Sequence, residues 1–157
     1  MGCDIHIHAE IQIMGEWCHV DPPGSVLWHQ GKPFPGRKDA EKMSEYQSRG
    51  DIHGNRWYAA FAALAGVRNY DGIPCPIPPR GTPRDVTRRT EEDVDHWSGD
   101  GHTHSWWTLE ELDEYGVGLT CWRPNAGDCG DFDWPLLPWL RELSKAGPVR
   151  IVFWFDN

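Results

Sequence analysis

Residues 3–13 read Cys3-Asp4-Ile5-His6-Ile7-His8-Ala9-Glu10-Ile11-Gln12-Ile13, with every odd position apolar and every even position polar. Successive side chains of a strand point to opposite faces, so strict alternation of this length predicts a β-strand with one face buried and the other open. Gly15 allows a turn, and Trp17 to Val20 reads as a short returning strand. At the far end of the chain, Val149 to Phe155 is an apolar run bounded by Gly147, and it predicts a closing strand. The two terminal strands are placed side by side.

Between them lie helical patterns. Asn55 is a candidate cap for a helix burying Trp57, Tyr58, Phe61, Leu64 and Ala65, stopped by Gly66. Residues 39–48 are polar enough for a short surface helix. Residues 84–95 are a weaker helical candidate, since their basic residues come first and oppose the helix dipole. Thr108 and Glu111 fit a capping box, and a further helix runs from near Pro135 to Lys145. Five prolines between Asp71 and Pro83 predict a stiff loop. Asp21 to Gly36 and Ser98 to His104 read as loops, residues 117–122 as a short strand. Strands at both ends with helices between them give an α+β fold: a mostly antiparallel sheet that includes both terminal strands, with helices mainly on one face.

The chain has 157 residues, which fits a single domain over 1–157 and is too short for a (β/α)₈ barrel of about 200 residues or more. Twenty-four acids against fifteen bases leave a net charge of −9. That argues against a duplex nucleic-acid binder, whose affinity rests on Lys and Arg neutralising phosphates. No apolar run reaches the roughly 20 residues of a membrane span, and no signal peptide is visible, so no membrane partner is expected. The five cysteines, Cys3, Cys18, Cys75, Cys121 and Cys129, are scattered without C-x-x-C spacing, which suits a reducing cytoplasm.

The polar face of the first strand carries the chemistry. Asp4, His6 and His8 share it, with i and i+2 roughly 7 Å apart, so two imidazoles can converge on one ion. The alternative is a solvated polar face. A second D-x-H-x-H, Asp100, His102 and His104, strengthens the metal reading. A loop pair meeting a strand pair supplies four nitrogens, His6, His8, His102 and His104, with Asp4 as a further ligand. The expected cofactor is a divalent metal, zinc first and manganese or iron as alternatives. Such an ion activates water and polarises a phosphoryl oxygen, with Asp4, Asp100 or Glu10 as base. Arg80 and Arg84 are a candidate anion clamp, because guanidinium pairs bidentately with phosphate; pairing with nearby acids is the competing role. Trp106 is a candidate stacking surface for a base or sugar, though such residues are more often core. Asp128, Asp131 and Asp133 lack calcium-loop spacing.

The opening Met-Gly-Cys-Asp-Ile-His-Ile-His-Ala-Glu resembles a family of small proteins encoded largely by bacteriophages and prophages. The likeness continues in Phe61-Ala-Ala-Leu-Ala-Gly-Val-Arg-Asn, Pro79-Arg-Gly-Thr-Pro-Arg-Asp-Val and Gly101-His-Thr-His-Ser-Trp-Trp-Thr-Leu-Glu-Glu-Leu. The Trp-rich C-terminal third departs from that pattern. The resemblance implies a phage-encoded protein in the host cytoplasm and assigns no activity. The D-x-H-x-H strand is also similar, locally, to the first metal-binding strand of amidohydrolase and PHP-type hydrolases.

These readings converge on a metal-dependent hydrolase of a small phosphorylated or nucleotide substrate. The rival is a non-catalytic protein that sequesters a host nucleotide or another small anionic ligand. A third reading makes the histidines structural.

Overall fold

A computed structural model describes residues 2–21, 58–115 and 136–157. The expected loop at 22–36, helix at 39–48, Asn55 cap, strand at 117–122 and the stretch holding Cys121, Asp128, Cys129, Asp131 and Asp133 lie outside these residues.

The alternating N-terminal segment forms strand β1 (Asp4–Ile13), and a turn at Met14 and Gly15 returns the chain as β2 (Glu16–Val20). The closing apolar run forms β4 (Val149–Asp156), and β3 is His102–Thr108. They make one antiparallel sheet in the order β2-β1-β4-β3, so the two terminal strands are its centre. Asp4 lies opposite Asp156, and the register runs through His6–Trp154, His8–Val152 and Glu10–Arg150 to Ile11–Val149.

The sheet is buried on both faces. On one side Ile5, Ile7 and Ile11 join Phe153, Phe155 and Trp107 in an apolar core. Three helices supply its other half: α1 (Tyr58–Ala65), through Phe61 and Leu64; α3 (Leu109–Glu114), through Leu109 and Leu112; and α4 (Leu136–Leu143), through Leu137 and Leu140. Gly66 ends α1 at φ 71°, the left-handed conformation that favours glycine. The Thr108–Glu111 capping box at the start of α3 is present with both of its bonds.

The expectation that the second face of β1 is open does not hold. His6 is 4% exposed, and His8 and Glu10 are 0% exposed. They lie beneath α2 (Arg88–His96), the helix whose charge order opposed its dipole. Its start is nevertheless fixed by Thr87, the N-cap, whose hydroxyl accepts from the Thr90 N–H. Its inner face is polar, with Thr90 and Asp93 as its buried residues. Helices therefore lie mainly, but not wholly, on the apolar face.

The second correction concerns 98–104. His102 and His104 belong to β3 and not to a loop. A bulge between His102 and Ser105, with Thr103 at φ 54°, interrupts the alternation that would have put both imidazoles on one face.

Gly147 shows how tightly the sheet is closed. A Cβ there would stand 2.1 Å from the backbone oxygen of Gln12, beside the bond from the Gln12 N–H to the Pro148 carbonyl. Backbone cannot yield as a side chain does. Gly147→Ala is expected to cost about 2–3 kcal/mol, read as a lower midpoint in chemical denaturation, whereas Gly99→Ala, with nothing within 4 Å, is expected to change stability by roughly 0.5 kcal/mol or less.

Candidate functional site

The polar half of the sheet is matched residue by residue to the segment 85–97. Going down β1 from Glu10 to His6, the overlying chain runs from Thr87 to Trp97. The Glu10 carboxylate accepts from the Thr87 N–H at 2.9 Å, the Thr87 hydroxyl at 2.7 Å and the Thr90 hydroxyl at 2.8 Å through Oε1. Its Oε2 accepts from Arg150 Nε at 2.8 Å and Nη2 at 2.7 Å. Arg150 also donates to the Asp85 carboxylate at 2.7 Å and carbonyl at 3.0 Å, and its guanidinium lies 3.9 Å over the Trp17 ring. That arginine holds the Asp85 carboxyl below the usual carboxylate range.

Both carboxylate oxygens of Glu10 are engaged by these groups, which makes it the buried counter-charge of Arg150. A buried ion pair survives only when additional hydrogen bonds complete it, and here they do.

One step along β1, His8 is clamped at both ring nitrogens. Its Nε2 lies 2.8 Å from the buried Asp93 carboxylate and its Nδ1 lies 2.9 Å from His19 Nε2. Beyond that, His19 Nδ1 lies 3.6 Å from Asp21, whose carboxylate pairs with Arg89 at 2.9 Å. Asp93, His8, His19 and Asp21 thus form a continuous line from beneath α2 to the β2 edge. The carboxylate of Asp93 fixes the proton of His8 on Nε2, which leaves one proton between His8 Nδ1 and His19 Nε2. Burial, then the neighbouring His8 and Arg89, lower the His19 pKa to about 4, with Asp21 and Glu10 pulling the other way.

His6 takes a separate place. Its Nε2 lies 3.3 Å from Asp156, whose other oxygen accepts the Asp4 N–H at 3.0 Å. The ring sits between Trp97, at 4.4 Å, and Trp154, at 5.4 Å.

The two histidine pairs do approach one another, but across an indole. Trp154 is in register with His6 on β1, and His104 stacks on it from β3 at 5.9 Å. Their sheet order puts the indole between His6 and His104. His102 stacks instead on Phe155, which alternates with Trp154 and so faces the apolar core. Nitrogen ligands on one zinc sit at about 2.0–2.1 Å from it, which the four rings do not approach jointly. Among the described residues no group of three or more His, Cys, Asp or Glu is arranged to hold a metal ion. The Nε2 atoms of both His102 and His104 are buried without a hydrogen-bond partner among the described residues, and burial lowers the His104 pKa.

Arg80 lies along the surface, folded onto Trp106 and Glu111. It donates from both terminal nitrogens to Glu111 at 2.8 Å, also bonds the Trp106 carbonyl, and lies 3.7 Å over the Trp106 ring. Clamp and stacking surface are therefore occupied by each other. Arg84 and Asp100 are exposed.

Reasoning from sequence gave Arg150 and Trp154 no part in the site, read Asp93 only as an acid near the arginine cluster, and read His19 only as a weak zinc-ligand candidate beside Cys18, with no link to His8. A signal for His19 was present: counting outward from the two-residue turn pairs Ile13 with Glu16 and hence Glu10 with His19, on the histidine face. Asp93 lies in a helix whose inner stripe is polar, and no apolar periodicity marks it.

No family model matches this chain, and neither a curated protein nor a solved structure does. No helix among the described residues is long and apolar enough to cross a membrane.

Proposed function

We propose that the protein is a hydrolase acting on a small phosphorylated or nucleotide substrate, with the His8–His19 pair as its acid–base group. The observation that carries this reading is a fully buried imidazole held between a carboxylate at 2.8 Å and a second imidazole at 2.9 Å. An oriented base backed by a third group is the arrangement that nucleophile activation requires.

His19 alone is a poor proton acceptor, because its environment resists a charge on that ring. Coupling removes the difficulty. As His19 Nδ1 takes a proton from water, the proton on Nε2 passes to His8 Nδ1, and the positive charge comes to rest beside Asp93. The hydroxide equivalent released at His19 attacks the phosphorus, and the leaving oxygen collects the proton on return. Arg84, exposed just before the segment 85–97, is the cation offered to the substrate anion.

A divalent metal, zinc first, stays in this reading as a separate proposal. Its support is the repeated D-x-H-x-H pattern of Asp4, His6 and His8 and of Asp100, His102 and His104, with the buried Nε2 of His104 uncommitted among the described residues. Phage origin and action in the host cytoplasm are proposed likewise, on the sequence resemblance.

The test is turnover of a panel of phosphomonoesters, cyclic nucleotides and nucleoside polyphosphates, with and without added zinc or manganese. His19→Ala is expected to lower kcat by about 10²–10⁴ with its circular dichroism unchanged, and Arg84→Ala to raise KM. Turnover unaffected by His19→Ala would remove the relay from the mechanism. No turnover under any condition would overturn the hydrolase reading, and nucleotide binding lost in Arg84→Ala would then favour sequestration.

A further inference from the structure

Every described helix but one is fastened to the sheet by aliphatic or aromatic side chains. α1, α3 and α4 bring Phe61, Leu64, Leu109, Leu112, Leu137 and Leu140 to the core, whereas the buried residues of α2 are Thr90 and Asp93. The contacts of the segment 85–97 with the sheet and its β2 edge include Asp85 to Arg150 and Trp17, Thr87 and Thr90 to Glu10, Asp93 to His8, Arg89 to Asp21, and the Trp97 ring on His6. Water replaces hydrogen bonds of this kind at a net cost of about 0.5–1.5 kcal/mol each, more for the charged ones. Among the described residues, the buried apolar side chains on that face of the sheet are Trp154 and Val152, both of β4. The Glu10–Arg150 pair belongs wholly to the sheet and stays formed when α2 leaves.

Both ends of the segment are tied to the same strand. Before it, the Gly81 N–H donates to the His104 carbonyl at 2.9 Å, with φ 77° at the glycine, and Arg80 is anchored on Glu111. After it, Gly101, its N–H on the Trp97 carbonyl at 2.6 Å, leads directly into β3. Anchors at Gly81 and Gly101 on the β3 edge leave the helix between them as a flap over β1.

We propose that residues 85–97 lift from the sheet as a unit, and that closure assembles the proton relay. One member, Asp93, which orients His8, rides on the flap, and so does Arg89, which holds Asp21. Opening therefore exposes His6, His8 and Glu10 to solvent and leaves His8 without the carboxylate that fixes its tautomer. This deepens the hydrolase reading by giving its site an on and an off state, and it rests on that reading only for the consequence, not for the motion.

Native-state hydrogen exchange on the intact protein tests the motion without any substrate. In the wild type the amides of 88–96 are expected to exchange at least about 100-fold faster than those of β4, by an opening insensitive to low denaturant. Thr90→Val keeps the shape and removes the hydroxyl on Glu10; because that bond is broken in the open state, it is expected to speed exchange of 88–96 roughly tenfold. Exchange of 88–96 in step with β4 in the wild type would overturn the flap, as would exchange of 88–96 left unchanged by Thr90→Val. A flap confirmed in a protein that turns nothing over leaves the motion standing and fails the hydrolase reading alone.

Discussion

Glu10→Ala is expected to be the most damaging single side-chain truncation on the polar face, costing about 3–5 kcal/mol. The substitution leaves the Arg150 guanidinium, whose side chain is 3% exposed, without its buried counter-charge, and it strands the hydroxyls of Thr87 and Thr90. For a chain of this size the melting temperature should fall by roughly 10 °C or more. Calorimetry or thermal denaturation reads the effect. The double variant Glu10→Leu/Arg150→Met removes both charges together and should lie closer to the wild type than Glu10→Ala does. If Glu10→Ala costs under about 1 kcal/mol, the pair is solvated in solution and the polar face is not a core.

Mild acid is expected to weaken the fold through His19. Its pKa falls from 6.5 in an unstructured chain to about 4 in the folded one, so the folded state keeps the ring neutral while the unfolded state takes up a proton. This contribution is fully present above pH 6.5 and is lost as the pH falls towards 4. The difference corresponds to roughly 3 kcal/mol at most, and about 2 kcal/mol should already be gone at pH 5, before most carboxylates titrate. Urea denaturation at pH 7 and pH 5 measures it. His19→Gln should show a flatter dependence over the same range, and an equal slope in the two proteins would place the acid sensitivity elsewhere.

Both predictions arise from one feature that alternation alone does not reveal. Period-two patterning says which residues of β1 share a face, and it placed Ile5, Ile7 and Ile11 correctly in the apolar core. What covers the other face depends on a partner distant in sequence. Asp93 is 85 residues from His8, and Arg150 is 140 from Glu10. A polar face buried under a polar helix leaves the same alternation in the strand as a face open to water. The helix gives no warning either, since a stripe of Thr87, Thr90 and Asp93 has no hydrophobic period. The capping box at Thr108 and the closing strand were legible because their causes are local. The bulge at Thr103 was not, because one residue in the left-handed region separates His102 from His104 without changing the H-x-H spacing that suggested a shared ligand. Trp154 hid for a similar reason: within an apolar strand it reads as core, and its register opposite His6 makes it the partition between the two histidine pairs.

The relay itself is open to direct observation by long-range ¹H–¹⁵N spectroscopy of histidine-labelled protein titrated from pH 8 to pH 3.5. Such spectra report which ring nitrogen holds the proton. The structure predicts a His8 protonated at Nε2 at neutral pH, and a His19 that stays neutral through pH 6.5 and gains its charge only near pH 4. A His19 that titrates near 6.5 with the mixed tautomers of a solvated ring would contradict it, and the acid–base reading built on it would fall with it.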